Sequence, residues 1–328
     1  MNPALEFPRR GQVRFIDLGD PPEPGPTEVL IETRYTGVTN GTERHALLGE
    51  HAWRGDFPSQ HGYQHVGTIT AKGDEVEGFG VGDSVFYGRY VGHRSWNIQD
   101  VTSPEIIEYD SHLVYQLPQG IPNDLCALLG VGGVAMRAVR RLRVEAGQKV
   151  WVAGAGPIGL FAAQISRAFG AEVTVSELIE RRLKLAGQLG AQHTVDANEE
   201  GYERRLSEIG PFDRIIDLCG ARGLLSAIRD NNLLEYRGAI GLIAVRSETC
   251  FEWEMFHGRE ASIEVSCHFG TDDLQALVDL VRMGSVKIDP LVTHREPISG
   301  ALDVYALLRD HPDQVVGIIF DWKHQFDD

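Results

Sequence analysis

The apolar and polar positions of this chain change rhythm at about residue 123. Before it, short stretches such as Val29-Leu30-Ile31-Glu32-Thr33 and Val66-Gly67-Thr68-Ile69-Thr70 stand between turn formers, among them Pro24-Gly25-Pro26, Lys72-Gly73-Asp74 and Gly82-Asp83. Short β-branched runs punctuated by glycine, proline and aspartate predict a small β-barrel rather than helices. After it, short apolar runs alternate with helical patterns. Strands are expected at 149–153, 172–175, 214–217 and 238–244, and helices at 158–169 and 180–188. That alternation predicts a parallel sheet with right-handed crossovers, and the nearly all-apolar run at 238–244 reads as a strand covered on both faces. The tail adds helices at 274–283 and 300–308 and a closing strand at 315–320.

The first strand of the second pattern runs into Gly154-Ala155-Gly156-Pro157-Ile158-Gly159. Between a strand and a helix the three glycines have separate duties. Gly154 permits a tight turn, Gly156 leaves room for a pyrophosphate, and Gly159 lets the helix approach the strand. The helix that begins at Pro157 and Ile158 then offers free N–H groups to the phosphates. Glu177 follows the end of the second strand, 18 residues beyond Gly159, where a carboxylate receives a ribose hydroxyl. A dinucleotide site is therefore expected. A carboxylate repels a 2′-phosphate, so NAD(H) is expected over NADP(H). Arg181 and Arg182 keep NADP(H) open if they turn inward, while the same pair also suits a solvated helix face.

Charge narrows the partners. Asp and Glu number 47 against 31 Lys and Arg, a formal net charge of −16. A surface of that sign repels nucleic-acid phosphates and anionic lipid, so neither nucleic acid nor a membrane is an expected partner. Cys126, Cys219, Cys250 and Cys267 are scattered, with no Cys-x-x-Cys pair. They read as small buried thiols of a reducing compartment rather than a structural zinc cluster. No apolar leader core stands in residues 1–15, and no apolar run approaches the ~20 residues that span a bilayer. A cytoplasmic location is expected.

Further motifs extend the picture: Thr36-Gly37-Val38 with Gly41-Thr42-Glu43, Gly62-Tyr63-Gln64-His65-Val66-Gly67, Val81-Gly82-Asp83-Ser84-Val85, Leu128-Leu129-Gly130-Val131-Gly132, and His294-Arg295-Glu296-Pro297. With the glycine-rich turn they resemble the medium-chain dehydrogenase/reductase superfamily over nearly the whole chain. The resemblance implies an α/β fold. A GroES-like β-barrel catalytic domain would occupy 1–122, and a Rossmann domain with a doubly wound parallel sheet 123–268, with 269–328 returning to the catalytic domain. It also implies a substrate site in the cleft between the domains, and a homodimer or homotetramer joined through the edge of the nucleotide-domain sheet. Ser262-Ile263-Glu264-Val265-Ser266 would suit that edge, or equally an internal strand.

The departures from the superfamily pattern carry most of the information. Its zinc-dependent members hold a catalytic metal with Cys, His and Cys and a nearby Glu. Here Thr39, Tyr63 and Val131 stand at the ligand positions and Gln64 at the glutamate, and the lobe with four structural cysteines is absent. Threonine, neutral tyrosine and valine are not ordinary zinc ligands, so no zinc is expected. Asn40-Gly41-Thr42-Glu43 and Gly62-Tyr63 resemble a zinc-lacking branch that includes bacteriochlorophyllide a dehydrogenase-like proteins.

Hydride chemistry without a Lewis acid needs a side chain that hydrogen-bonds the reacting oxygen and handles a proton. Tyr63 is the first candidate, because it replaces a residue that faces that oxygen. His65 shares its strand, and period-2 alternation puts the two on the same face, so that either reaches the cleft. His93, Thr39 and Glu43 complete the candidate catalytic set, Glu43 with the alternatives of binding a substrate hydroxyl or holding a loop. His45 would extend a relay from Thr42 or Glu43 to solvent, and His51 and His61 add to the concentration of histidines without any metal-ligand spacing. For each of these side chains the alternative is ordinary packing or solvation. The expectation is a zinc-independent, NAD(H)-dependent alcohol dehydrogenase or ketone reductase. Its small-molecule substrate would be a secondary alcohol or ketone of the polyol, sugar or cyclitol kind. An NADPH-dependent enoyl or quinone reductase and a non-catalytic cofactor-binding protein are the alternatives.

Overall fold

A computed structural model describes residues 1–51, 56–107 and 109–323. The chain forms two compact units: Met1–Val131 with His268–Val278 and Ile288–Asp328, and Gly132–Cys267 with Asp279–Lys287. The division thus falls after Val131 rather than at residue 122, and 279–287 goes with the second unit rather than with the tail.

In the first unit a sheet orders the strands Val292–Pro297, Gly317–Asp321, Glu28–Gly37, His65–Lys72, Ser84–Tyr87 and Val114–Gln116. The ten-residue strand Glu28–Gly37 also pairs along its first half with Trp96–Asp100, while its last residues, Tyr35 to Gly37, pair with Gly317–Asp321. One long strand shared in this way lets the sheet curl over a core of Val29, Ile31, Ile69, Val85 and Tyr87. A second cluster joins Leu5 and Phe7 to Val38, Leu47, Tyr305, Phe320 and Trp322. The barrel expected for the first third holds, with one correction: Asn40–Leu47 is a helix. Its inward residues are Asn40, Glu43, Ala46 and Leu47, so two polar side chains interrupt the apolar period that would have marked it.

The second unit is a six-stranded parallel sheet. Its order is His193–Asp196, Glu172–Glu177, Lys149–Ala153, Phe212–Asp217, Leu234–Leu242 and Ser262–Val265. Numbered along the chain this is 3-2-1-4-5-6, the doubly wound order whose ligand crevice lies where the winding reverses, beyond the strand Lys149–Ala153. The strands are apolar because helices cover them, and Trp151, Leu206, Phe212, Ile215, Ile228 and Ile240 pack into one core cluster. Ser262–Val265 pairs only with Leu234–Leu242, so it is the outer strand of this sheet. Among the described residues no helix is long and apolar enough to cross a membrane. Among the described residues no disulfide joins the four cysteines; of them only Cys126 is buried, so burial holds for one and fails for Cys219, Cys250 and Cys267.

Candidate functional site

The strand Lys149–Ala153 ends in Gly154 at φ +107°, a conformation that side chains resist. A methyl group on Gly159 would run into the carbonyl of Gly154, so that glycine serves the packing of turn on helix. At Gly156 an added Cβ would meet nothing within 4 Å. Packing therefore does not demand the middle glycine; the open space in front of it is the cradle that a pyrophosphate needs. Pro157 starts the helix Pro157–Ala168 in the position proline favours, and the N–H groups of Ile158 and Gly159 lie in a first turn that has no intrahelical acceptors.

Glu177 is fixed against this turn. Its Oε2 accepts the Ala155 N–H at 2.7 Å, and its Oε1 accepts those of Leu178 at 2.7 Å and Ile179 at 3.2 Å. A carboxylate has about four lone-pair directions, so one is left for a further donor. The two arginines part company: Arg181 is exposed, whereas the Arg182 guanidinium lies 4.0 Å from the Glu177 carboxylate. Next to the glycine turn, the fully buried Asp217 takes the Arg246 guanidinium at 2.6 Å and the Gly220 N–H at 2.8 Å. Sequence reasoning passed over this pair; an aspartate ending an apolar strand was its only signal.

The first unit gathers several candidate catalytic residues into one buried polar cluster. His93 Nε2 lies 3.0 Å from Glu43 Oε2, and His93 Nδ1 lies 2.7 Å from Thr36 Oγ1. The Tyr305 hydroxyl donates to the same Glu43 oxygen, the Thr39 N–H donates to Glu43 Oε1 at 2.6 Å, and Trp322 Nε1 donates to Thr36 Oγ1 at 3.0 Å. Burial alone pushes the Glu43 carboxyl up. The electrostatic attraction of His93 beside it, with the hydrogen bonds from His93, Tyr305 and Thr39, outweighs that and holds it below its ordinary value. Burial and the neighbouring carboxylate raise the Tyr305 phenol well above its usual range. Tyr305 and Trp322 are isolated aromatics in the tail, and no local pattern linked them to Glu43.

His65 and Tyr63 do not share a strand face. The strand begins at His65, after Gly62 has turned the chain at φ +127°, so the alternation argument does not reach back to Tyr63. The His65 ring stacks on Tyr87 at 4.4 Å, and its Nε2 donates to the Gly92 carbonyl at 2.9 Å. Burial holds this imidazole down at about 3, so it is neutral at physiological pH. Tyr63 instead stacks on Tyr90 at 5.6 Å and meets His268 edge-on at 5.2 Å. Gly62 is needed where it stands, since a Cβ there would lie 2.9 Å from the His93 ring. His45 is on the exposed side of its helix, opposite Glu43, and His61 is buried against Phe7 with Nε2 3.0 Å from Ser59 Oγ. Among the described residues no group of three or more His, Cys, Asp or Glu is placed to hold a metal.

Two of the three positions that the resemblance assigns to zinc ligands, Thr39 and Val131, are bridged by an amide. The Val131 N–H donates to Gln64 Oε1 at 2.8 Å, and Gln64 Nε2 donates to the Gly37 carbonyl and to Thr39 Oγ1, both at 3.3 Å. Gln64 is fully buried and Thr39 is 4% exposed. The Thr39 hydroxyl, the Tyr63 phenol and the Val131 alkyl side chain, beside an amide at position 64 already committed to three bonds, are not an ordinary zinc donor set.

Residues 25–141 match the model of the alcohol dehydrogenase GroES-like domain, and residues 157–282 match that of zinc-binding dehydrogenases. The chain is similar to a sorbitol dehydrogenase of Halalkalibacterium halodurans, at 28% identity covering 90% of this chain and 93% of that protein. It is similar to a 2-dehydro-3-deoxy-L-galactonate 5-dehydrogenase of Pseudoalteromonas atlantica, at 24% identity covering 89% and 91%. In fold it matches the crystal structure of an Escherichia coli CFT073 protein named a short chain alcohol dehydrogenase, complexed with NADH. The TM-score is 0.84 at 19% identity, covering 98% of this chain and 99% of that one.

Proposed function

This chain belongs to the medium-chain dehydrogenase/reductase superfamily, and from that premise we propose that it is a zinc-independent, NAD(H)-dependent dehydrogenase interconverting a secondary alcohol and its ketone. One observation carries the reading: a complete dinucleotide turn coexists with an amide bridge where metal ligands would stand. Bound nicotinamide supplies hydride donation and acceptance at its C4. Gly156, Ile158 and Gly159 would hold the pyrophosphate, and Glu177 would accept a ribose hydroxyl, which favours NAD(H) over NADP(H). The reacting oxygen, without a metal, requires a hydrogen-bond donor from a side chain, and Thr39 and Tyr63 are the hydroxyls at the ligand positions. Glu43 and His93 position Thr39 through its backbone. A hydroxylated substrate of the polyol or sugar kind is supported by the sorbitol and deoxygalactonate dehydrogenases among its relatives. We assign the protein to the cytoplasm and to a homodimer or homotetramer paired along the outer strand Ser262–Val265.

The test joins metal analysis to turnover. Purified protein is assayed for zinc, then for NAD+ and NADP+ reduction over a panel of secondary alcohols, polyols and sugar alcohols, before and after chelation. The expected outcome is NADH formation with substoichiometric zinc and no effect of the chelator. One zinc per chain whose removal abolishes turnover would sink the zinc-independent reading, and absence of both cofactor binding and turnover would sink the dehydrogenase reading.

A further inference from the structure

The hydrogen-bond directions around Gln64 point to a specific task for one hydroxyl: we propose that Thr39 donates the hydrogen bond to the substrate oxygen. The proposal rests on the dehydrogenase reading above and names the group that does the work there in place of a metal.

A backbone N–H can only donate, so the Gln64 atom 2.8 Å from Val131 N is the carbonyl oxygen of the amide. The orientation of the amide is therefore dictated by chemistry, and its NH2 end faces Gly37 O and Thr39 Oγ1, each 3.3 Å away. The Gly37 carbonyl can only accept. Thr39 Oγ1 also accepts from Gln64, and its own proton must point along another direction. The rest of Thr39 is committed to one partner: its N–H donates to Glu43 Oε1 at 2.6 Å, and its carbonyl accepts the Glu43 N–H at 2.9 Å. Glu43 is in turn clamped by His93 and Tyr305. The hydroxyl proton of Thr39 is its one uncommitted donor, and among the described residues no acceptor takes it, although the residue is only 4% exposed. A buried donor left without a partner is costly, and a substrate carbonyl oxygen satisfies it.

In the reducing direction hydride adds to the carbonyl carbon and the C=O π pair moves onto oxygen. The Thr39 hydroxyl stabilises the charge that builds on that oxygen, and the proton that completes the alcohol comes from water. Gln64 is a positioning residue. By donating to Oγ1 it occupies one side of that oxygen and leaves the Thr39 proton for an acceptor other than Gln64. In the zinc-dependent pattern that resemblance places here, a cation faces the reacting oxygen; in this chain an oriented hydroxyl does so.

The test uses Thr39→Val, Thr39→Ser, Gln64→Glu and Tyr63→Phe in the full chain. Each is measured for kcat/KM on the best substrate of the panel, for NADH affinity by fluorescence, and for Tm. Thr39→Val keeps the shape and removes the donor; kcat/KM is expected to fall about 10²–10³-fold, mostly in kcat. NADH affinity stays within about twofold of wild type, and Thr39→Ser restores activity to within about tenfold. Gln64→Glu presents a carboxylate that takes the Thr39 proton itself, so kcat is expected to fall although Thr39 is intact. A purely packing role for Thr39 would not give that loss. If Thr39→Val lowers Tm markedly, Thr39→Ala reads the same quantity. An active wild type with Thr39→Val or Thr39→Ala within threefold of it overturns the assignment alone, as does a loss confined to Tyr63→Phe. A wild-type chain that neither binds NADH nor turns over any substrate overturns the dehydrogenase reading, and the assignment with it.

Discussion

Glu43 and His93 meet at 3.0 Å with side chains that are 0% and 1% exposed, one on the helix Asn40–Leu47 and the other in the loop before the strand Trp96–Asp100. The Glu43 carboxylate is removed from water this completely, so losing His93 leaves a buried charge less compensated, and losing Glu43 leaves the His93 and Tyr305 donors without their acceptor. Glu43→Ala or His93→Ala is expected to cost about 3–5 kcal/mol, read as a fall in unfolding free energy in urea. The double variant Glu43→Leu/His93→Phe should cost less than the two single losses combined. Because the folded carboxyl lies below its ordinary 4.5, its stabilising contribution is fully present above that value and is lost as pH falls through the lowered folded value. Additive losses, or single losses below about 1 kcal/mol, would mean that the pair is not coupled.

The glycines of the dinucleotide turn separate binding from folding. Gly156 has open space where its Cβ would be, so Gly156→Ala should leave Tm unchanged while weakening NADH binding tenfold or more, about 1.4 kcal/mol. Gly159→Ala drives a methyl into the Gly154 carbonyl and should lower Tm and NADH affinity together. Thermal melts with and without NADH, beside fluorescence titration, distinguish the two variants. Equal behaviour of both would remove the distinction drawn between cradle and packing.

What was legible in the sequence follows from how local the cause is. The strand at 149–153 and the helix at 180–188 emerge with the expected bounds, because apolar run length and helical period fix them within one segment. The glycine turn and Glu177 were legible for the same reason: strand, turn and helix are contiguous. The polar cluster was not. Glu43, His93, Tyr305 and Trp322 lie far apart along the chain and meet only through folding, so their pairing left no pattern in any window. Tyr63 and His65 illustrate the opposite failure, in which a local rule was extended one turn too far past Gly62.

His65 makes acid sensitivity a property of the barrel. Its folded value of about 3 against 6.5 for the free imidazole means that the unfolded chain binds a proton the folded chain refuses. Stability is full above pH 6.5 and falls progressively toward pH 3, by at most about 5 kcal/mol from this group. Urea unfolding between pH 7.5 and about 5, the range in which histidines titrate, should show a slope to which His65 contributes in wild type. In His65→Phe, which keeps a ring against Tyr87, the slope should be shallower. An unchanged slope would show that His65 titrates as an ordinary histidine.

The carboxylate of Glu177 and the guanidinium of Arg182, 4.0 Å apart, make cofactor choice a balance between neighbours. With the carboxylate present, a 2′-phosphate meets negative charge and Arg182 is partly neutralised. Glu177→Gln removes that charge, and its single amide oxygen can accept either the Ala155 N–H or those of Leu178 and Ile179, so the turn keeps only part of its hydrogen bonding. Arg182 then meets a phosphate without the opposing carboxylate beside it. The ratio of kcat/KM for NAD+ over NADP+ is expected to fall at least tenfold, about 1.4 kcal/mol of discrimination, with the NADP+ value rising in absolute terms. Glu177→Gln/Arg182→Ala should lose the gain with NADP+ but not recover the original preference for NAD+, since the ribose acceptor is weakened in both. A wild-type preference for NADP+, or a ratio unmoved by Glu177→Gln, would show that discrimination resides elsewhere.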